Sequence, residues 1–181
     1  MTIDVNISYK DFNDADDGQS YELIPDKTLA KVIMKIKRGE YITKEWSDGY
    51  ATKSKSSPAV YLACEFIILG GKYDKRKVWS NIGLYSEKSP EYSKIGRKTI
   101  KAILNSANNL KPQDISEKAQ TKRKIKDFGD LDNLIFVAEI SVNDKGQSPK
   151  NEIKNIITPD HAEYQKTWDG DISFHDDEVP F

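Results

Sequence analysis

Hydrophobic and polar positions begin to alternate at Thr28. The stretch "TLAKVIMKIK" sets Ala30, Val32, Met34 and Ile36 on one face and Lys31, Ile33, Lys35 and Lys37 on the other, which is the period-two pattern of a half-buried strand. In "PAVYLACEFIIL" the positions Val60, Leu62, Cys64, Phe66 and Ile68 share a face, and the residue types favour β structure. "GGKYDKR" reads as a turn. "KVWSNIGLY" returns as a third strand, with Val78, Ser80, Ile82 and Leu84 opposite Trp79, Asn81, Gly83 and Tyr85, so strands two and three form a hairpin. The period then becomes helical. Ile100, Ile103, Leu104 and Ala107 make an apolar stripe, while Lys94, Arg97, Lys98 and Lys101 recur on another face. Ser89 suits the N-cap, Pro90 the first turn and Glu91 the positive end of the helix dipole, and Asn108-Asn109 ends the helix. "LIFVAEISV" and "KNEIKNII" are two further strands about the turn "NDKGQSP". The segment from Lys111 to Asn133 reads as a basic loop with room for a short second helix.

The fold class is therefore mainly β. Five strands with one helix between the third and fourth is the element order of an OB-like Greek-key barrel, although an α+β sandwich gives the same string. Before Thr28, "DFNDADDGQSYELIPDK" is polar and rich in turn formers. After Thr158-Pro159 no periodic pattern survives. The expected organisation is an acidic arm over 1–27, a nucleic-acid-binding body over 28–158 and a flexible acidic tail over 159–181.

Charge sharpens this picture. The net charge of −1 over 181 residues hides a balance of +14 between Lys27 and Lys126, −6 before it and −9 after it. A basic middle between acidic ends points to a body that binds a polyanion. The single cysteine, Cys64, permits no internal disulfide and fits a reducing, cytoplasmic setting. No apolar run reaches the roughly 18–20 residues of a membrane span, and the N-terminal stretch lacks the pattern of a signal peptide.

Catalytic signals are weak. The histidines, His161 and His175, have no metal-ligand spacing, and "ILGGKYDKRK" lacks the phosphate-loop pattern. The carboxylates of "DGDISFHDDE" fall in the tail. No catalytic residue, metal or cofactor is expected. Binding signals are stronger. Tyr41, Trp46 and Tyr50 interleave with Lys44, Lys53 and Lys55 in the connection after strand one, a loop that grips ligand in OB-like barrels. Flat π faces beside cations match the bases and phosphates of a single strand. Lys31, Lys35 and Lys37 on strand one, Arg76 in the turn, and Trp79 and Tyr85 on strand three extend the set. Packing of the rings and solvation of the lysines are the competing explanations. Of the two tryptophans, Trp46 reads as a loop residue and Trp79 as framework.

The chain ends in "DDEVPF", that is Asp176, Asp177, Glu178, Val179, Pro180 and Phe181. This resembles the C-terminal tip of bacterial single-stranded-DNA-binding proteins, and "IPDKTLAKVIMKIKRGEY" and "FIILGGKYDKRKVWSNIGLY" are similar to the phage- or prophage-encoded members. The resemblance implies an OB-fold body that coats single strands during replication, recombination and repair, in the cytoplasm of a bacterium or phage-infected host. It also implies a tip that docks partner enzymes. The chain departs from the housekeeping pattern in lacking a long Gly-, Gln- and Pro-rich linker, and in having the acidic arm and the basic Lys111–Lys126 segment, so no tetramer is implied and a homo-oligomer stays open. Two other readings remain: a small phage nuclease or recombination enzyme, and an RNA-binding regulator on the same fold.

Overall fold

The computed structural model describes Asn13 and residues 22–170. The alternating stretches form one antiparallel sheet of six strands: β1 (Thr28–Lys37), β2 (Thr52–Lys53), β3 (Ala59–Ile68), β4 (Lys77–Ser86), β5 (Ile135–Asn143) and β6 (Lys150–Ile157). The two-residue β2 adds a strand to the five expected from the sequence. The helices are α1 (Pro90–Ala107), α2 (Glu117–Lys122) and α3 (Tyr164–Asp169), and Phe128–Leu131 makes a 3-10 turn.

The sheet runs β2-β3-β1-β5-β6, with β4 on the other edge of β3. Strand β1 is its pivot. Val32–Lys37 pair with β3, and Thr28–Ile33 pair with β5. The inward residues expected from the alternation form the core, including Val32, Met34, Leu62, Phe66, Val78 and Ile82. Phe66 meets Phe136 edge-on at 5.9 Å, an arrangement that adds to the stabilisation from burying both rings. Helix α1 lays Ile103 and Leu104 on this core. Strands β4 and β6 approach each other without pairing, so the sheet curls but stays open.

Cys64 lies in the core, where burial, with the Asp132 carboxylate adding to it, pushes the thiol up to about 12. Thiolate chemistry at neutral pH is thereby suppressed.

Both outer limits of the expected body need correction. Ile24, assigned to the acidic arm, is fully buried. Its N–H donates to Asn151 Oδ1 and its carbonyl accepts from Asn151 Nδ2, each at 2.9 Å, so one side chain imitates a strand neighbour. Asp26 adds a bond from the Val142 N–H at 3.0 Å. At the other end, residues 164–169 of the expected flexible tail are helical. Tyr164 is buried with Val137 and Ile157, stacks on Trp168 at 5.9 Å, and donates its hydroxyl to the Ser106 carbonyl at 2.6 Å. Two aromatic anchors, rather than an amphipathic repeat, hold α3 in place. Among the described residues no helix is long and apolar enough to cross a membrane.

Candidate nucleic-acid interface

Helix α3 divides the outward face of the sheet. Over β1, β5 and β6 it covers Val137 and Ile157. It also takes Lys31, whose Nζ donates to the Trp168 carbonyl at 3.1 Å and sits 5.9 Å from the Trp168 ring. Lys31 therefore leaves the set expected on an open face. Over the far half of β1, and over β3 and β4 as far as Asn81, the outward face is uncovered; at Gly83 the Tyr92 ring of α1 stands against it. Two cross-strand rows lie there: Lys35, Glu65 and Trp79, and then Lys37, Ala63 and Asn81.

Trp79 is 66% exposed. Its indole N–H donates to Glu65 Oε2 at 3.2 Å, while Lys77 pairs with Glu65 Oε1 at 2.9 Å. One carboxylate thus fixes the ring and a cation beside it. Trp79, expected as framework, is instead the more open tryptophan. Beyond it, between β4 and the turn before β6, lies a cleft of about 640 Å³ lined by Leu23, Lys75, Lys77, Trp79, Pro149 and Lys150 among others. Lys75, Lys77 and Lys150 were not in the set expected from sequence. Lys75 and Lys77 flank Arg76 in the chain, and only the approach of β4 to β6 brings Lys150 beside them.

At the other end of β4 the aromatic residues of the 38–51 connection arrive. Tyr41 and Trp46 are 6.1 Å apart, and Trp46 and Tyr85 6.3 Å apart, between centroids. Lys53 Nζ stands 5.5 Å from the Tyr41 ring. Trp46 is half-buried, Tyr85 is 45% exposed, and Lys44 and Lys55 are exposed nearby along the chain. Trp79 and Tyr85 are six residues apart on one strand, a span of ~20 Å at about 3.3 Å per residue.

The connection is pinned, not loose. Glu40 N–H bonds the Gly49 carbonyl at 3.0 Å, Tyr41 N–H the Ala51 carbonyl at 3.1 Å, and Thr43 N–H the Trp46 carbonyl at 3.0 Å. Asp48 anchors it from below. Its Oδ2 accepts from Phe128 N–H at 2.6 Å, its Oδ1 from Tyr50 N–H at 3.1 Å, and its carbonyl from Arg38 Nη2 at 2.8 Å. Gly49 follows at φ +79°, with Arg38 close against it, so a side chain there is strained. Asp48 was missed because a lone aspartate in a polar loop carries no signal until its partner, 80 residues on, is known.

Not every expected residue joins the open face. Tyr50 packs against the core, with Arg38 4.7 Å above its ring. Arg76 donates from Nη2 to the Glu22 carbonyl at 2.9 Å, tying down the N-terminal segment. Lys35 bonds Asn133 Oδ1. What remains is Trp79 with Lys75, Lys77 and Lys150 around the cleft, Lys37 in the next row across β3, and the trio Tyr41, Trp46 and Tyr85 with Lys53. The tip residues Asp176, Asp177, Glu178, Val179, Pro180 and Phe181 lie outside the described residues, as does His175. His161 is exposed and accepts from the Glu163 N–H at 3.1 Å. Among the described residues no three of His, Cys, Asp and Glu gather as a metal site would require.

The arrangement offers stackable rings at both ends of one strand, with cations beside them, which suits a ligand that is both flat and anionic at repeated intervals. In comparison with known proteins, no family model matches the chain, and no curated protein sequence matches it significantly.

Proposed function

We propose that this protein binds single-stranded DNA without sequence preference, through an OB-like body, and recruits replication, recombination or repair enzymes through its C-terminal tip. The observation that carries the reading is Trp79, exposed on the uncovered half of the sheet and steadied by Glu65 beside Lys77. An unburied indole costs solubility, and a ring held by its N–H presents its face for stacking. The strand order supports the OB-like part. Without the short β2, the long strands run β4-β3-β1-β5-β6, with α1 between the third and fourth of them in sequence. In OB folds the face of the second and third strands, together with the loops after the first and fourth, binds oligonucleotides. Here those are β3, β4, the Trp46 connection and the turn before Lys150.

The test is titration of the full chain with a labelled single strand and with the corresponding duplex. Single strand is expected to bind more tightly and to remain uncut in Mg²⁺ or Mn²⁺. Equal affinity for duplex contradicts the stacking face, and cleavage turns the reading toward a nuclease.

A further inference from the structure

A second cationic surface lies away from Trp79. Helix α1 and the 123–128 segment enclose a groove of about 540 Å³, lined by Arg97, Lys98 and Lys101 above an apolar floor of Leu104, Ile125 and Phe128. Its fourth cation, Arg123, is already committed. Nε donates to Asn105 Oδ1 at 2.7 Å, Nη1 to the Asp114 carbonyl at 2.6 Å and Nη2 to the Lys111 carbonyl at 3.1 Å. Arg123 thus builds the groove by tying the basic connection to the end of α1. Lys94 is paired with Glu91 at 2.9 Å, but Arg97, Lys98 and Lys101 have no carboxylate partner among the described residues. They span about one turn of helix, roughly 6 Å at 1.5 Å per residue.

The groove is not isolated. Ile125 and Phe128 also line a smaller cleft whose other wall is Glu45, Trp46 and Asp48. Lys126 and Asp127 stand on that cleft, and the Asp48 and Asp127 carboxylates are taken up by the Phe128 and Gly129 N–H groups. The Phe128 N–H is bonded to Asp48, so the wall shared by the two clefts is fixed to the Trp46 connection. A path therefore leads from the aromatic trio, past Lys126, onto the cations of α1.

We propose that single-stranded nucleic acid, on leaving Trp46, continues through this groove and places its phosphates against Arg97, Lys98 and Lys101. The inference rests on the single-strand-binding reading above and extends its site to a face of α1. Continuity with the Trp46 cleft favours a long polyanion over a short acidic peptide, because a peptide filling the groove alone gives no role to the shared wall or to Lys126. A merely solvated helix face is the ordinary fate of such residues, and the experiment separates the two.

The full chain and its Arg97→Gln/Lys98→Gln/Lys101→Gln variant are titrated with oligo-dT of graded length over a salt series. Gln keeps helix propensity, and the three residues are exposed, so thermal melting serves as the check on folding. A short oligomer of about 4–6 nucleotides, at the low end of the range for one OB unit, should bind both proteins alike. With longer strands the variant should show a smaller site size and a log–log salt slope shallower by about 2, at about 0.7 per lost phosphate contact. A control lacking Lys118, Lys154 and Lys166 should keep the wild-type slope, since the same charge is removed elsewhere. Equal slopes and site sizes for wild type and the groove variant overturn the path while leaving single-strand binding intact. Failure of the wild type itself to bind overturns both. If the variant instead binds long strands normally but loses affinity for a synthetic DDEVPF peptide, the groove is a peptide site and the proposal is wrong.

Discussion

Gly96→Ala is expected to destabilise the protein by more than ~3 kcal/mol, although alanine is the better helix former by about 1 kcal/mol. Helix α1 crosses β4 at this residue so closely that a Cβ on Gly96 would lie 1.7 Å from the Gly83 carbonyl oxygen. That oxygen belongs to a strand and cannot swing aside like the end of a side chain. Gly83 is constrained in turn, since a Cβ there would lie 2.6 Å from the Tyr92 ring. Relief requires α1 to lift from the sheet, which opens the packing of Ile103 and Leu104 and costs more than the about 1–3 kcal/mol of ordinary overpacking. Urea unfolding should show a large fall in midpoint. Gly146→Ala is the matched control. Its nearest neighbour would be Ser148 O at 3.8 Å, and its effect should stay within about 0.5 kcal/mol. A Gly96→Ala protein as stable as the parent would mean that α1 does not sit on β4 in this way.

The second large effect is on binding. Trp79→Ala should weaken single-strand affinity by about 1–3 kcal/mol, roughly 5- to 150-fold, through loss of one stacking platform. Stability should barely change, because the ring is mostly exposed and its one polar contact is to a surface carboxylate. Trp79→Phe should recover much of the affinity, since a π face returns without the N–H. If melting falls while affinity per folded molecule is unchanged, the ring is a packing element and the open half of the sheet is not the site.

Local periodicity explains which parts of this fold were legible in the sequence. The long strands and α1 stand close to where alternation, Pro90 and Asn108 put them, because each buries one face and the chain records that face every second residue or every turn. The short elements were not legible. Thr52–Lys53 is too brief to show a period, and the apolar anchors of α3 are two residues, Tyr164 and Trp168, too few to make a stripe. Ile24 looked like one apolar residue in a polar arm, since its partner Asn151 lies 127 positions away. The same limit governs the interface. Tyr41, Trp46 and Lys53 were visible as a local cluster, whereas Lys31 and Tyr50 share their residue types and are spent on packing. Composition names the side chains that suit a nucleic acid, and only the tertiary fold decides which of them are left uncovered. That is also why Trp79 departs from its expected framework character while Trp46 stays in its loop: alternation puts Trp79 outward, but whether anything covers it depends on where α3 ends.

The uncovered, basic, aromatic half of the sheet is proposed to bind single strands through stacking and phosphate contacts together. The most direct measurement is the affinity of the full chain for a single strand and for its duplex over a range of salt concentrations. Contacts with about 4–6 phosphates predict a log–log slope near −3 to −4 for the single strand, with tighter binding than to duplex throughout. A flat salt response, or a duplex bound as tightly as the single strand, would contradict it.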